Sequence, residues 1–189
     1  MPRIIHNMSL IALGANVQGA WGLPEQTLGL CLERLANEGF GKFLISPTYR
    51  TKAHGAVRQP DYLNVVVQAA NTNSPRETIA LFKRLERLAG RQLRARNAAR
   101  PLDIDLLDCA GKVVNWPAKH PRPQVVLPHP LLADRPFVLA PLADIAPNWR
   151  HPVYGLTACQ LFHRLGGLRQ SLHRREIYRV DPIRVSCDS

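Results

Sequence analysis

At 189 residues the chain suits one domain with enough length to bury a real core. Apolar residues make up 46%, and no run reaches the roughly 18 to 20 uninterrupted apolar residues that a membrane helix requires, which excludes that class. The net charge of +11 leaves three readings open: a basic surface without a specific task, cations along a nucleic-acid backbone, or cations converging on a small polyphosphate in a cleft.

Met1 to Asn7 lack the apolar stretch of a secretory signal and are too short for a transit peptide, so a cytoplasmic protein is expected. Ser9 to Leu13 form a short apolar run closed by Gly14, Ala15 and Asn16, the pattern of a strand entering a turn. Pro24 and Glu25 suit a first helical turn, and Leu28, Cys31, Leu32 and Leu35 recur at helical spacing until Gly39. A strand from Phe43 to Arg50 and another from Tyr62 to Ala69 are predicted, joined by a long connection containing Gly55 and Pro60. Ser74, Pro75 and Glu77 supply an N-cap, a first-turn proline and a capping-box acid. The helix they open turns Leu81, Phe82, Leu85 and Leu88 inward and stops at Gly90. After an arginine-rich loop, Leu102 to Leu107 reads as a buried strand, with Asp108 to Gly111 turning it back toward Val113 and Val114. Phe137 to Leu142 reads as a last strand and Thr157 to Leu165 as a last helix, closed by Gly166 and Gly167. Alternating strands and helices with a hairpin predict an α+β sandwich, helices packed on a mostly antiparallel sheet. Cys31, Cys109, Cys159 and Cys187 are scattered without metal-ligand or disulfide spacing, so plain thiols are expected.

Chemistry begins at Leu102-Asp103-Ile104-Asp105-Leu106, where period-two alternation puts both carboxylates on one face of the strand. Two readings compete: a solvent-facing acidic strand edge, or a repelling pair relieved by a cation, for which hard oxygen ligands and phosphate suit magnesium. Arg91, Arg94, Arg96 and Arg100 immediately precede the pair and favour the second, because guanidinium forks grip phosphate oxygens. Neither GxxxxGK[ST] nor GxGxxG after a strand is present, so arginines stand in for the usual phosphate cradle.

Several ordered blocks resemble the 6-hydroxymethyl-7,8-dihydropterin pyrophosphokinase family. They are Ala12-Leu13-Gly14-Ala15-Asn16; Ser46 with Tyr49-Arg50-Thr51 and Gly55; Gln59-Pro60-Asp61-Tyr62-Leu63-Asn64; Glu86 with Gly90-Arg91; and Arg100-Pro101-Leu102-Asp103-Ile104-Asp105. Leu127-Pro128-His129-Pro130 follows, then Arg135, Phe137, Pro141-Leu142 and Ile145-Ala146-Pro147. The likeness runs from about Met8 to Pro152. It implies a ferredoxin-like α/β sandwich, a pyrophosphokinase domain over 8–155, and a C-terminal helix and basic tail over 156–189.

The resemblance also implies an ATP-dependent diphosphokinase of folate biosynthesis, moving pyrophosphate onto a hydroxymethyl-dihydropterin and releasing AMP. Asp103 and Asp105 would hold two magnesium ions, one or the other easing loss of the hydroxyl proton, with Arg91 and Arg100 as catalytic cations. Glu86, Arg94, Arg96, His129 and Arg135 would bind ATP, and Thr51, Tyr62, Asn64 and Phe137 the pterin. Taken alone, Tyr62 and Phe137 read as core aromatics; the resemblance assigns them to the ring. Two segments depart from the family pattern. Asn97-Ala98-Ala99 replaces Trp-Gly-Pro in the arginine loop, and Lys52-Ala53-His54 replaces a more apolar, proline-rich stretch. The other classes compatible with a basic α+β sandwich are a nucleic-acid-binding module and a non-catalytic family member. At 6% aromatics the chain lacks a base-stacking cluster, which argues against the first. The expected partners are ATP and the pterin, not nucleic acid or membrane, with the arginine-rich tail available to an enzyme of the same pathway.

Overall fold

The computed structural model describes residues 8–53, 59–92, 98–118, 124–166 and 177–180. In chain order these form β1 (Met8–Ala15), α1 (Pro24–Asn37), β2 (Phe40–Ile45), β3 (Thr48–Thr51), β4 (Tyr62–Asn71), α2 (Pro75–Leu88), β5 (Asp103–Cys109), α3 (Pro136–Ile145), α4 (Ala158–Arg164) and β6 (Ile177–Val180). The expected α+β architecture is present. One sheet runs β5-β1-β4-β3-β6, β2 pairs with the far half of β4, and every pairing is antiparallel.

Alternation along the central strands divides the core. Ile11, Leu13, Val65, Val67 and Ile104 face α1 and α2, meeting Leu28, Leu32, Phe82 and Leu85. Leu10, Tyr49, Val66 and Leu107 face the opposite side and pack with α3 and α4 through Val138, Leu139, Leu161 and Phe162. Both helices on the first face begin where the sequence places them. At α2, Ser74 Oγ accepts the Glu77 N–H and Glu77 Oε2 accepts the Ser74 N–H, so two orphan donors of the first turn are satisfied reciprocally. Leu88, expected inward, is half exposed because it lies at the last turn of α2, beyond the stripe that reaches the sheet.

Three other segments differ from expectation. Phe137 to Leu142 is helical, within α3. Enclosed between the sheet and α4, that helix is apolar on nearly all sides, so its sequence carries no helical period, while Pro136 fits the first helical position. Phe43 to Arg50 is not one strand: β2 ends at Ile45, and Ser46 caps the break by accepting the Val66 N–H on Oγ. Val114 does not return along β5 but bridges Leu127. The short β6 adds to the outer edge of β3, where Arg179 Nε donates to Tyr49 Oη, Tyr49 Oη donates to Asp144 of α3, and Arg179 pairs with Asp144. Cys31, Cys109 and Cys159 are free thiols. Among the described residues no helix is long and apolar enough to cross a membrane.

Beyond α3, His151 is buried against Trp116, Trp149 and Tyr154, stacked on the last with centroids 4.4 Å apart. Its Nδ1 accepts the N–H groups of Val153 and Tyr154, while Nε2 has no partner among the described residues. Burial therefore holds its pKa below the usual value of 6.5. With the folded value depressed, the unfolded chain takes up the proton first, so the stabilisation is complete above about pH 6.5 and is lost as the pH falls below it. The expected loss is at most about 1.4 kcal/mol per pH unit. His151→Asn retains an acceptor for both N–H groups and cannot titrate. Its melting temperature should fall less between pH 7.5 and 5.5 than the native chain's, and equal falls would rule the residue out as the source.

Candidate active site

Ala12 and Gly14 alternate on β1, on the face turned toward α3. Register places Asp103 opposite Gly14 on one side and Asn64 opposite it on the other; Asp105 and Val66 flank Ala12 in the same way. With no side chain at Gly14 and a methyl at Ala12, the centre of this face is hollow. A Cβ built on Gly14 would come within 3.3 Å of Asn64 Oδ1 and 3.9 Å of Tyr62 Cδ1. The result is a cleft of about 270 Å³. Asp103, Asp105 and Arg100 form one wall, and Thr51, Tyr62 and Asn64 the other. Arg135, Phe137 and Val138, at the start of α3, close a third side.

On the acidic wall both carboxylates project from the same face of β5, as alternation predicts. Each is about a quarter exposed and held by cations of similar exposure. Arg91 Nη1 meets Asp103 Oδ1 at 2.6 Å, Arg100 Nη1 meets Asp103 Oδ2 at 2.8 Å, and Arg135 Nη1 meets Asp105 Oδ2 at 2.9 Å. Partial burial strengthens these pairs relative to surface ones and leaves the groups reachable by a ligand. His129 Nε2 lies 3.7 Å from Asp105 Oδ2. Its backbone N–H donates to Leu107, and its Nδ1 accepts the Leu131 N–H, which fixes the ring's orientation. Burial lowers its pKa although Asp105 opposes the shift, so the neutral form presents Nε2–H toward the carboxylate.

Glu86, expected at the nucleotide, is buried below this wall and does not line the cleft. Its carboxylate accepts the Ile104 N–H at 2.9 Å, Lys83 Nζ at 2.9 and 3.0 Å, and meets Arg91 Nη1 at 2.5 Å. Burial pushes its pKa up, against the pull of those donors. Arg91 is thus shared between Glu86 underneath and Asp103 above.

On the opposite wall the register of β3 and β4 pairs Thr51 with Tyr62 and Tyr49 with Asn64. Asn64 Nδ2 donates to Thr51 Oγ1 at 2.9 Å, leaving the edge of its amide toward the cleft. Burial raises the Tyr62 pKa, keeping the phenol neutral, and its hydroxyl reaches the Ala98 carbonyl at 3.4 Å. The Arg135 guanidinium carbon lies 5.7 Å from the Phe137 ring centroid. Arg94 and Arg96 lie outside the described residues. Ala12, Gly14 and Val138 line the cleft without having been assigned a role from sequence, and Lys52, from the stretch that departs from the family pattern, lines it too; the two small residues at alternate positions of a buried strand were the available signal for the first pair.

The cleft combines hard-oxygen ligands, fork donors and aromatic rings, the parts required by a phosphorylated molecule and a flat, polar-rimmed ring. Among the described residues no group of three or more His, Cys, Asp and Glu side chains forms a protein-only metal cage. Two carboxylates do suit a cation whose remaining ligands come from phosphate and water, which is how magnesium is commonly held.

The profile of the 7,8-dihydro-6-hydroxymethylpterin-pyrophosphokinase family matches residues 10–147. The 2-amino-4-hydroxy-6-hydroxymethyldihydropteridine pyrophosphokinase of Synechocystis is 33% identical over 79% of this chain and 68% of its own length. Its namesake in Porphyromonas gingivalis is 30% identical over 75% of this chain and 92% of its own. A Plasmodium falciparum HPPK-DHPS crystal structure with pterin and p-hydroxybenzoate shares the fold, with a TM-score of 0.67 at 15% identity, over 94% of this chain. The match spans about half of that longer chain, 46%. The chain belongs to the 7,8-dihydro-6-hydroxymethylpterin-pyrophosphokinase family.

Proposed function

We propose that this chain transfers the pyrophosphoryl group of ATP to the hydroxymethyl oxygen of 6-hydroxymethyl-7,8-dihydropterin, giving AMP and the pterin diphosphate. The observation that carries this reading is the facing of two unlike walls across one cleft: Asp103 and Asp105 among arginines on one, Tyr62, Asn64 and Thr51 on the other. Asp103 and Asp105 would hold magnesium, two ions in the fuller form of the proposal, and magnesium when bound neutralises phosphate charge and polarises the transferred group.

The protein's own groups do the rest. Tyr62 and Phe137 stack on the pterin faces, and the Asn64 amide, itself oriented by Thr51, reads the ring's polar edge. Arg100 and Arg135, held at the carboxylates, direct further N–H donors to the triphosphate. Glu86 keeps Arg91 in place from below. The bond that forms joins the pterin oxygen to the β-phosphorus; the bond that breaks joins that phosphorus to the oxygen carried away by AMP, and the hydroxyl proton is released. Alignment of these atoms and neutralisation of charge supply most of the acceleration in such reactions.

The test is AMP release from ATP and magnesium on adding the hydroxymethyl-dihydropterin. One AMP per pterin diphosphate supports the assignment; no release, or release indifferent to the pterin, overturns it. The hollow floor gives a second check. Gly14→Val places branched carbon where the Asn64 amide stands, so the KM for the pterin should rise at least about tenfold while far-UV circular dichroism stays native. An unchanged KM would remove Gly14 from the pterin site.

A further inference from the structure

At the end of β1, Asn16 is 2% exposed, and a polar side chain that deeply placed must find partners. It finds them on two segments distant in sequence. Its Oδ1 accepts the Arg100 N–H at 2.8 Å, and its own N–H donates to the Arg100 carbonyl at 3.1 Å, so one residue holds both backbone groups of Arg100. Its Nδ2 donates to the Pro60 carbonyl at 3.1 Å and to Gln59 Oε1 at 3.3 Å, two and three residues before Tyr62.

The bracket is itself rigidly seated. Ala20 N–H donates to the Ala89 carbonyl at 2.9 Å, and a Cβ on Gly19 would fall 2.3 Å from that oxygen and 2.4 Å from Pro101 Cβ. The turn after β1 therefore lies directly on the end of α2 and on the residue following Arg100. Three residues after Arg100, Asp103 receives its guanidinium.

We infer that Asn16 is a positioning residue whose amide fixes the Arg100 backbone and the stem before Tyr62 in one geometry, setting the spacing between phosphate-binding and pterin-binding walls. This rests on the proposed function, since it needs Arg100 to act on the phosphates. Asn16 is buried and does not line the cleft, so its effect on turnover runs through Arg100 and its effect on the pterin through the 59–60 stem.

The experiment is a double-mutant cycle on the full chain with Asn16→Ala, Arg100→Ala and the pair, reading kcat and both KM values alongside thermal melting. Asn16→Ala should lower kcat ten- to a hundredfold in the native background and less than about threefold in the Arg100→Ala background, because residues acting as one unit are not additive. Equal losses in both backgrounds would show a general structural role and overturn the inference. Should Asn16→Ala fail to fold, Asn16→Asp carries the same cycle: it keeps the acceptor for Arg100 and loses the donor to Pro60, so a retained kcat with a raised pterin KM is expected. A fall in kcat of equal size in both backgrounds overturns the inference there too. If Arg100→Ala alone left kcat unchanged, the assigned role of Arg100 would fall together with this inference, a pattern distinct from additivity.

Discussion

Asp105→Ala and Asp103→Ala should each lower kcat for AMP release by about a thousandfold or more, with the far-UV spectrum preserved. In phosphoryl-type transfer little covalent chemistry falls to the protein, and charge placed around the transferred group accounts for rate changes of about 10³ to 10⁵. Each aspartate removes more than its own charge. Without Asp103, Arg91 and Arg100 lose their common partner, and Arg91 is left held by Glu86 beneath. Without Asp105, Arg135 and His129 lose the oxygen they share. Both substitutions also halve the pair of hard-oxygen ligands. Folding should survive, because each carboxylate is partly exposed and takes no part in either apolar core. Burst and steady-state AMP release with a thermal melt decide the matter: kcat within tenfold of native for either variant defeats the assigned role of that residue.

Much of this site was legible because it rests on strands, where period two is enough to put Asp103 beside Asp105 and Tyr62 beside Asn64 on one face. The helices with caps were equally readable, since Ser74 and Glu77 make a local contact that needs no tertiary help. Helix α3 was not. Its residues are buried on both the sheet side and the α4 side, and a segment enclosed in that way loses the periodicity that distinguishes helix from strand. The consequence for the site is direct, because Phe137 and Arg135 reach the cleft from a helix start and not from a sheet edge. Glu86 was read from motif position as a nucleotide contact; only tertiary structure reveals that Lys83, Arg91 and the Ile104 N–H surround its carboxylate. The strand β6 is four residues long within a basic tail, too short to announce itself, and depends on Tyr49 and Asp144, remote in sequence, to hold Arg179. Asn16 shows the same limit: its residue type fits a turn after a strand, but its partners lie 43 to 84 positions away.

Arg100 brings the second large effect. Its Nη1 is committed to Asp103 and its backbone to Asn16, so the guanidinium is oriented before any phosphate arrives. A pre-oriented cation costs no reorganisation when charge develops on the transferred group, and removal of such an arginine costs about 10³ in kcat or more. Arg100→Ala should therefore lose about a thousandfold in kcat. Arg100→Lys should recover little of it, about tenfold at most, because an ammonium can meet Asp103 or a phosphate oxygen but lacks the planar fork that reaches both at once. The comparison separates charge from geometry. If charge alone mattered, lysine would restore most of the rate, and the reading of this wall as a fixed array of forks would fail. If alanine itself kept kcat within tenfold of native, the pairing of Arg100 with Asp103 would be an ordinary part-buried ion pair with no role in turnover.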